Sequence, residues 1–198
     1  MQNAKIQNEG AESAFVAFGA NLPSRAGDPV ATFHAVVADL EASGVRVVAK
    51  SRLFQTPAFP EGSGPDYINA CIEIETAQCA QALLATLHEV EARFGRVRKT
   101  RWAERGVDLD LIAVGERVLP DEATLRRWIE MDIETQMRDA PETLTLPHPR
   151  LQDRAFVLIP FADVAPDWRH PVLGLTVKEM CAARPESEKS AIIALNQP

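Results

Sequence analysis

The chain has 198 residues, 46% of them hydrophobic and 25% charged, which allows one well-buried domain with room for an extra subdomain. Its net charge of −7 speaks against general nucleic-acid binding, which relies on a broad basic surface. No apolar run approaches the roughly 20 residues that span a bilayer, and an odd set of cysteines without metal-ligand spacing (Cys71, Cys79, Cys181) fits a reducing cytoplasm better than a disulfide framework.

The leader MQNAKIQNEGAES lacks the apolar core of a secretory signal, so residues 1–13 read as a disordered tail. A first strand is expected over Ala14 to Gly19. Asp28-Pro29 then supplies an N-cap and a proline at the first helical position. Phe33, Val36, Val37 and Leu40 follow at the spacing of an amphipathic helix that stops at Ser43-Gly44. A strand from Val45 to about Phe54 leads into QTPAFPEGSGP, a loop by its prolines and glycines. Tyr67 to Thr76 alternates, with Ile68, Ala70, Ile72 and Ile74 on one face and Tyr67, Asn69, Cys71, Glu73 and Glu75 on the other. A helix from about Gln78 to Phe94 ends at Gly95, and Glu91 falls inside its apolar stripe, an unusual position for a glutamate.

Residues 107–114 (VDLDLIAV) read as a further strand with Asp108 and Asp110 on one face. Two carboxylates so close repel unless something positive sits between them. Immediately upstream lie Arg96, Arg98, Lys99, Arg101 and Arg105 against the single acid Glu104, a concentration of positive charge that suggests an anionic ligand on an acidic protein. Paired aspartates without His or Cys suit a hard cation such as Mg²⁺, which shares its shell with phosphate oxygens. Arginines grip those oxygens bidentately, and phosphoryl transfer needs little more than such parts.

The order β-α-β-β-α-β predicts an α+β, ferredoxin-like two-layer sandwich. Its open sheet face would carry Tyr67, Asn69, Asp108 and Asp110 as a binding floor. Residues 120–141 read as one inserted charged helix bounded by prolines, and Leu175 to Ala183 as a last short helix before a C-terminal tail over 184–198. Phe33, Phe94 and Phe156 read as core by their apolar settings. A non-catalytic ligand-binding module and a ferredoxin-like RNA binder are the rival classes; the acidic charge and the lack of an aromatic stacking run disfavour the second.

In motif after motif the chain resembles the 6-hydroxymethyl-7,8-dihydropterin pyrophosphokinases of folate biosynthesis. RWAERGVDLDLI (101–112) is similar to that family's signature, FGANL (18–22) to its N-terminal motif, TPAF (56–59) and PDYINA (65–70) to its pterin segments, GRVRK (95–99) to its catalytic loop, and PHPRLQDRAFVLIPF (147–161) to its late nucleotide stretch. The match spans residues 14–183 apart from the insertion.

The resemblance implies a single pyrophosphokinase domain that moves diphosphate from ATP to the pterin's hydroxymethyl group and releases AMP. Asp108 and Asp110 would hold two Mg²⁺ ions, with Arg96 and Arg105 acting from a closing loop. Thr56, Pro57, Phe59, Tyr67, Asn69, Trp102 and Phe156 would line the pterin pocket. Glu91, Arg98, Arg101, His148 and Arg154 would contact ATP. The expected state is a monomer, or a dimer through the insertion, with no nucleic acid or membrane partner. The chain departs from the family pattern at Ala103-Glu104, where Gly-Pro is common, at Ala20, where Ser is frequent, and at Pro149, where some members carry a phosphate-contacting Tyr.

Overall fold

A computed structural model of the chain describes residues 10–58, 64–95 and 106–195. Strand β1 (Glu12–Ala20) leads to helix α1 (Pro29–Ala42), whose first turn is capped by the Asp28 carboxylate accepting from the Ala31 N–H at 2.8 Å. Strands β2 (Arg46–Lys50) and β3 (Phe54–Thr56) follow, then β4 (Tyr67–Thr76), α2 (Ala80–Arg93) and β5 (Asp108–Val114). All pairings are antiparallel, in the order β5-β1-β4-β3, with β2 alongside β3 on β4. That is the ferredoxin-like arrangement predicted from the element order.

The single strand expected over Val45 to Phe54 is interrupted. Ser51 is pinned to β4 through its backbone N–H to the Cys71 carbonyl and through its hydroxyl, which accepts the Cys71 N–H, both at 2.9 Å. One extra residue against β4 then turns Arg52 outward, a bulge that no alternation pattern announces. The guanidinium of Arg52 meets Asp163 in a two-pronged pair at 2.8 Å.

Apolar side chains fill two cores. Val16, Phe18, Ile68, Ile72, Leu109 and Leu111 pack against Phe33, Val36 and Leu40 of α1 and Leu83, Leu87 and Val90 of α2. On the reverse face Phe15, Ala17, Cys71 and Ile112 pack beneath α5 (Ala155–Val164) and α6 (Val177–Ala182). The reverse face is therefore partly covered. Only the end bearing Gly19, Asn69, Asp108 and Asp110 stays free of that second core. All three cysteines are unpaired, and among the described residues no helix is long and apolar enough to cross a membrane.

The insertion is two helices rather than the one expected: α3 (Glu122–Glu130) and α4 (Ile133–Arg138). Asp132 breaks the run because its side chain accepts from the Thr135 N–H at 2.9 Å and caps a new helix. The base is closed by paired backbone bonds between Leu119 and Leu146. Residues 184–198, read as a tail, hold α7 (Glu186–Ser190) and β6 (Ile193–Ala194), which extends the sheet beside β3. Residues 1–9 of the expected N-terminal tail lie outside the described residues, while Glu12 and Ser13 belong to β1.

His170 is fully buried, and its Nδ1 accepts the N–H groups of Val172 and Leu173, both at 3.2 Å. Burial holds its pKa at about 4, below the ordinary 6.5. The unfolded chain therefore binds more protons between those values, and stability falls as pH drops from about 6.5 toward 4. The loss is on the order of 3 kcal/mol from this group. Urea unfolding at neutral pH and about pH 4 checks it; His170→Asn, which keeps an acceptor at the Nδ1 position, should flatten part of the slope.

Candidate functional site

Strand register assembles the site. Gly19 of β1 lies opposite Asn69 of β4 on one side and Asp108 of β5 on the other. Directly opposed residues share a face, so Asp108, Gly19 and Asn69 form a row across three strands. With strands spaced as in any sheet, Asp108 and Asn69 stand roughly 10 Å apart. Gly19 keeps the floor between them clear: a Cβ there would lie 3.3 Å from Asn69 Oδ1, a tight approach.

At one end of the row, Asn69 Nδ2 donates to the Thr56 hydroxyl at 2.6 Å, and both residues are buried. That bond fixes which way the amide faces, leaving Oδ1 and the second N–H to meet a ligand. Tyr67, half-buried, pairs with Thr56 in the β3–β4 ladder, and Pro57 is exposed beside it. Asn21 is buried, and its Nδ2 donates to the Pro65 carbonyl at 3.3 Å, tying the end of β1 to the segment entering β4.

At the other end, Asp108 and Asp110 project from β5. Asp110 Oδ2 lies 3.4 Å from Arg154 Nη1, the residue that precedes α5. Arg154 in turn sits 5.8 Å from the ring of Phe156. Phe156, read both as core and as a pterin contact, is 42% exposed; α5 buries Val157, Leu158 and Phe161 instead.

His148 enters from the loop after the insertion, its backbone N–H bonded to the Ile112 carbonyl at 2.8 Å. Its Nδ1 accepts the Arg150 N–H at 3.1 Å, so Nε2 carries the ring proton. Burial, then the charges of Arg154 and Arg150, push its pKa down to about 3, against a smaller opposing pull from Asp108. His148 is a neutral N–H donor at physiological pH, not a cation.

Glu91, expected at the nucleotide, is 1% exposed, and its Oε1 accepts the Leu109 N–H at 2.7 Å. Leu109 stands between the two aspartates. The visible work of Glu91 is to brace the strand that presents them, which accounts for an acid inside an apolar helix stripe. Arg96, Arg98, Arg101, Trp102 and Arg105 lie outside the described residues, as do Phe59, Ala103 and Glu104.

The structure thus brings Thr56, Tyr67, Asn69, Asp108, Asp110, His148, Arg154 and Phe156 to one end of the sheet. Sequence reasoning missed Gly19 as the spacer, which the register of the two aspartates against FGANL could have found. Among the described residues no group of three or more His, Cys, Asp or Glu side chains could hold a metal. Two carboxylates are all-oxygen donors, the chemistry that suits a hard ion that keeps waters and takes ligand oxygens, as Mg²⁺ does.

Residues 15–166 match the family described as 7,8-dihydro-6-hydroxymethylpterin-pyrophosphokinase. The chain is 34% identical over 168 residues to the 2-amino-4-hydroxy-6-hydroxymethyldihydropteridine pyrophosphokinase of Synechocystis sp., covering 84% of this chain and 73% of that one. It is 33% identical over 170 residues to the protein of the same name from Methylorubrum extorquens, covering 85% and 91%. The fold is similar to the crystal structure of wild-type Plasmodium falciparum HPPK-DHPS, with a TM-score of 0.61 at 12% identity. That likeness covers 87% of this chain and 44% of the other.

Proposed function

Because the chain belongs to the 7,8-dihydro-6-hydroxymethylpterin-pyrophosphokinase family, we propose that it transfers diphosphate from ATP to the hydroxymethyl group of 6-hydroxymethyl-7,8-dihydropterin, giving AMP and the pterin diphosphate for folate synthesis. The observation that carries this reading is the row Asp108–Gly19–Asn69. A pterin-reading amide and a phosphate-facing carboxylate share one sheet face at a spacing that fits a pterin hydroxymethyl group meeting a bound triphosphate.

Asn69, with its amide oriented by Thr56, reads the hydrogen-bonding edge of the pterin ring. Tyr67 and Phe156 supply aromatic surface for its faces. His148 donates from Nε2 to the nucleotide while adding no charge, and Arg154 grips phosphate oxygens with its planar fork. Asp108 and Asp110 would hold Mg²⁺, two ions by family likeness. Such ions, when bound, neutralise the phosphate charge and stabilise the attacking and leaving oxygens. Glu91 keeps the aspartate strand in register, so that the chemistry is mostly positioning and charge stabilisation.

The reading is tested by incubating the protein with ATP, Mg²⁺ and the pterin and quantifying nucleotides and pterin products. AMP appearing one-for-one with pterin diphosphate supports it; ADP, or no turnover with the pterin still bound, contradicts it.

Thr56→Val tests the pterin end. Without the hydroxyl, Asn69 Nδ2 loses its buried partner and the amide is free to rotate. Pterin affinity should fall about tenfold, while nucleotide affinity measured by the same titration calorimetry stays at the wild-type value.

A further inference from the structure

Arg150 lies in the chain between His148 and Arg154. It follows His148 by two residues and begins the tight turn Leu151–Asp153 that feeds α5. Its Nε is buried without a hydrogen-bond partner, and its guanidinium forms no ion pair among the described residues. The acid that bears on it, Asp153, is engaged elsewhere. Asp153 Oδ2 accepts from Gln152 Nε2 at 2.8 Å, and Oδ1 pairs with Arg184 at 3.8 Å. Burial and the neighbouring charge of Arg154 both work against the charge on Arg150.

Arg150 and Arg154 flank the turn Leu151–Asp153 and their like charges bear on each other, a repulsion that an anion between them would relieve. The anion must offer several oxygens in reach of planar forks, which describes a phosphate chain better than a single carboxylate. The cluster also adjoins the N-terminus of the ten-residue helix α5, where the Val157 and Leu158 N–H groups donate to the Arg154 carbonyl and, among the described residues, those of Ala155 and Phe156 are left without an acceptor. Arg154 already links it to Asp110 at 3.4 Å.

Building on the pyrophosphokinase reading, we propose that Arg150 is a further phosphate-binding residue, closing with Arg154 on the triphosphate of the bound nucleotide. It acts on the nucleotide and leaves the pterin end of the row untouched.

The test is titration calorimetry of Arg150→Gln and Arg150→Lys with an ATP analogue carrying a methylene between the α and β phosphorus atoms. Each variant is also titrated with the pterin, and its thermal midpoint is recorded. The glutamine variant should bind the analogue about tenfold or more weakly, the lysine variant should lose less, and pterin affinity should not change. Analogue affinity within about twofold of wild type, or a parallel fall in pterin affinity, overturns the proposal. If the glutamine variant does not fold, the lysine variant decides: it keeps the charge without the fork, and undiminished analogue affinity overturns the proposal. A wild-type protein that neither binds the analogue nor releases AMP overturns the pyrophosphokinase reading itself. An active wild type with an unaffected variant overturns only the role of Arg150.

Discussion

Asp108→Asn should fold like the wild-type protein and lose turnover by about a thousandfold or more. The substitution keeps the size and the hydrogen-bonding reach of the side chain but removes one of the two carboxylate charges at the proposed metal site. Metal-assisted charge stabilisation is worth several kcal/mol in the transition state, and about 4 kcal/mol corresponds to a factor of about a thousand. The aspartate lies at the end of the sheet outside both cores, so its substitution by an isosteric side chain opens no cavity in either. Steady-state rates over a range of Mg²⁺ concentrations, with thermal unfolding beside them, check the expectation. A rate near that of wild type at saturating Mg²⁺ would remove Asp108 from the metal site.

Glu91→Ala should act by a different route, through stability and strand position together. The side chain is 1% exposed and takes the Leu109 N–H at 2.7 Å. Its removal strands a buried donor, at a cost of about 1–3 kcal/mol, and opens a cavity between α2 and β5 that costs more. A total loss of about 3 kcal/mol in unfolding free energy is expected. The folded fraction should also turn over more slowly, since Leu109 sits between the two aspartates. Glu91→Gln keeps an oxygen acceptor of the same shape and should recover most of both. Urea unfolding and initial rates on the same preparations read the two effects. An alanine variant as stable and as active as wild type would show that the bond does not position the strand.

These expectations differ in how much of them the sequence could supply. The alternation of VDLDLIAV was enough to put Asp108 and Asp110 on one face, because a period of two leaves no other choice. Apolar spacing defined α1 and α2, and Asp28-Pro29 marked where α1 begins. Glu91 stood out as an acid in an apolar stripe, yet its partner is a backbone N–H on another element, which no side-chain pattern encodes. The cover that α5 and α6 lay over part of the reverse face was also hidden, since Phe15, Ala17 and Cys71 alternate like open-face residues. The break at Ser51 and the strand Ile193–Ala194 depend on pairing with distant segments. Phe156 sits in an apolar stretch but on the outer side of a short helix, where hydrophobicity alone argues for core and the fold exposes it.

The most direct measurement is a single turnover with ATP labelled at the β-phosphorus, mixed with excess protein, Mg²⁺ and 6-hydroxymethyl-7,8-dihydropterin. If the sheet face bearing Asp108, Gly19 and Asn69 directs attack to the β-phosphorus, the label leaves the nucleotide and appears wholly in the pterin product, with unlabelled AMP remaining. If the label stays with the nucleotide as ADP while the pterin gains a single phosphate, attack falls on the γ-phosphorus and the account of this site is wrong.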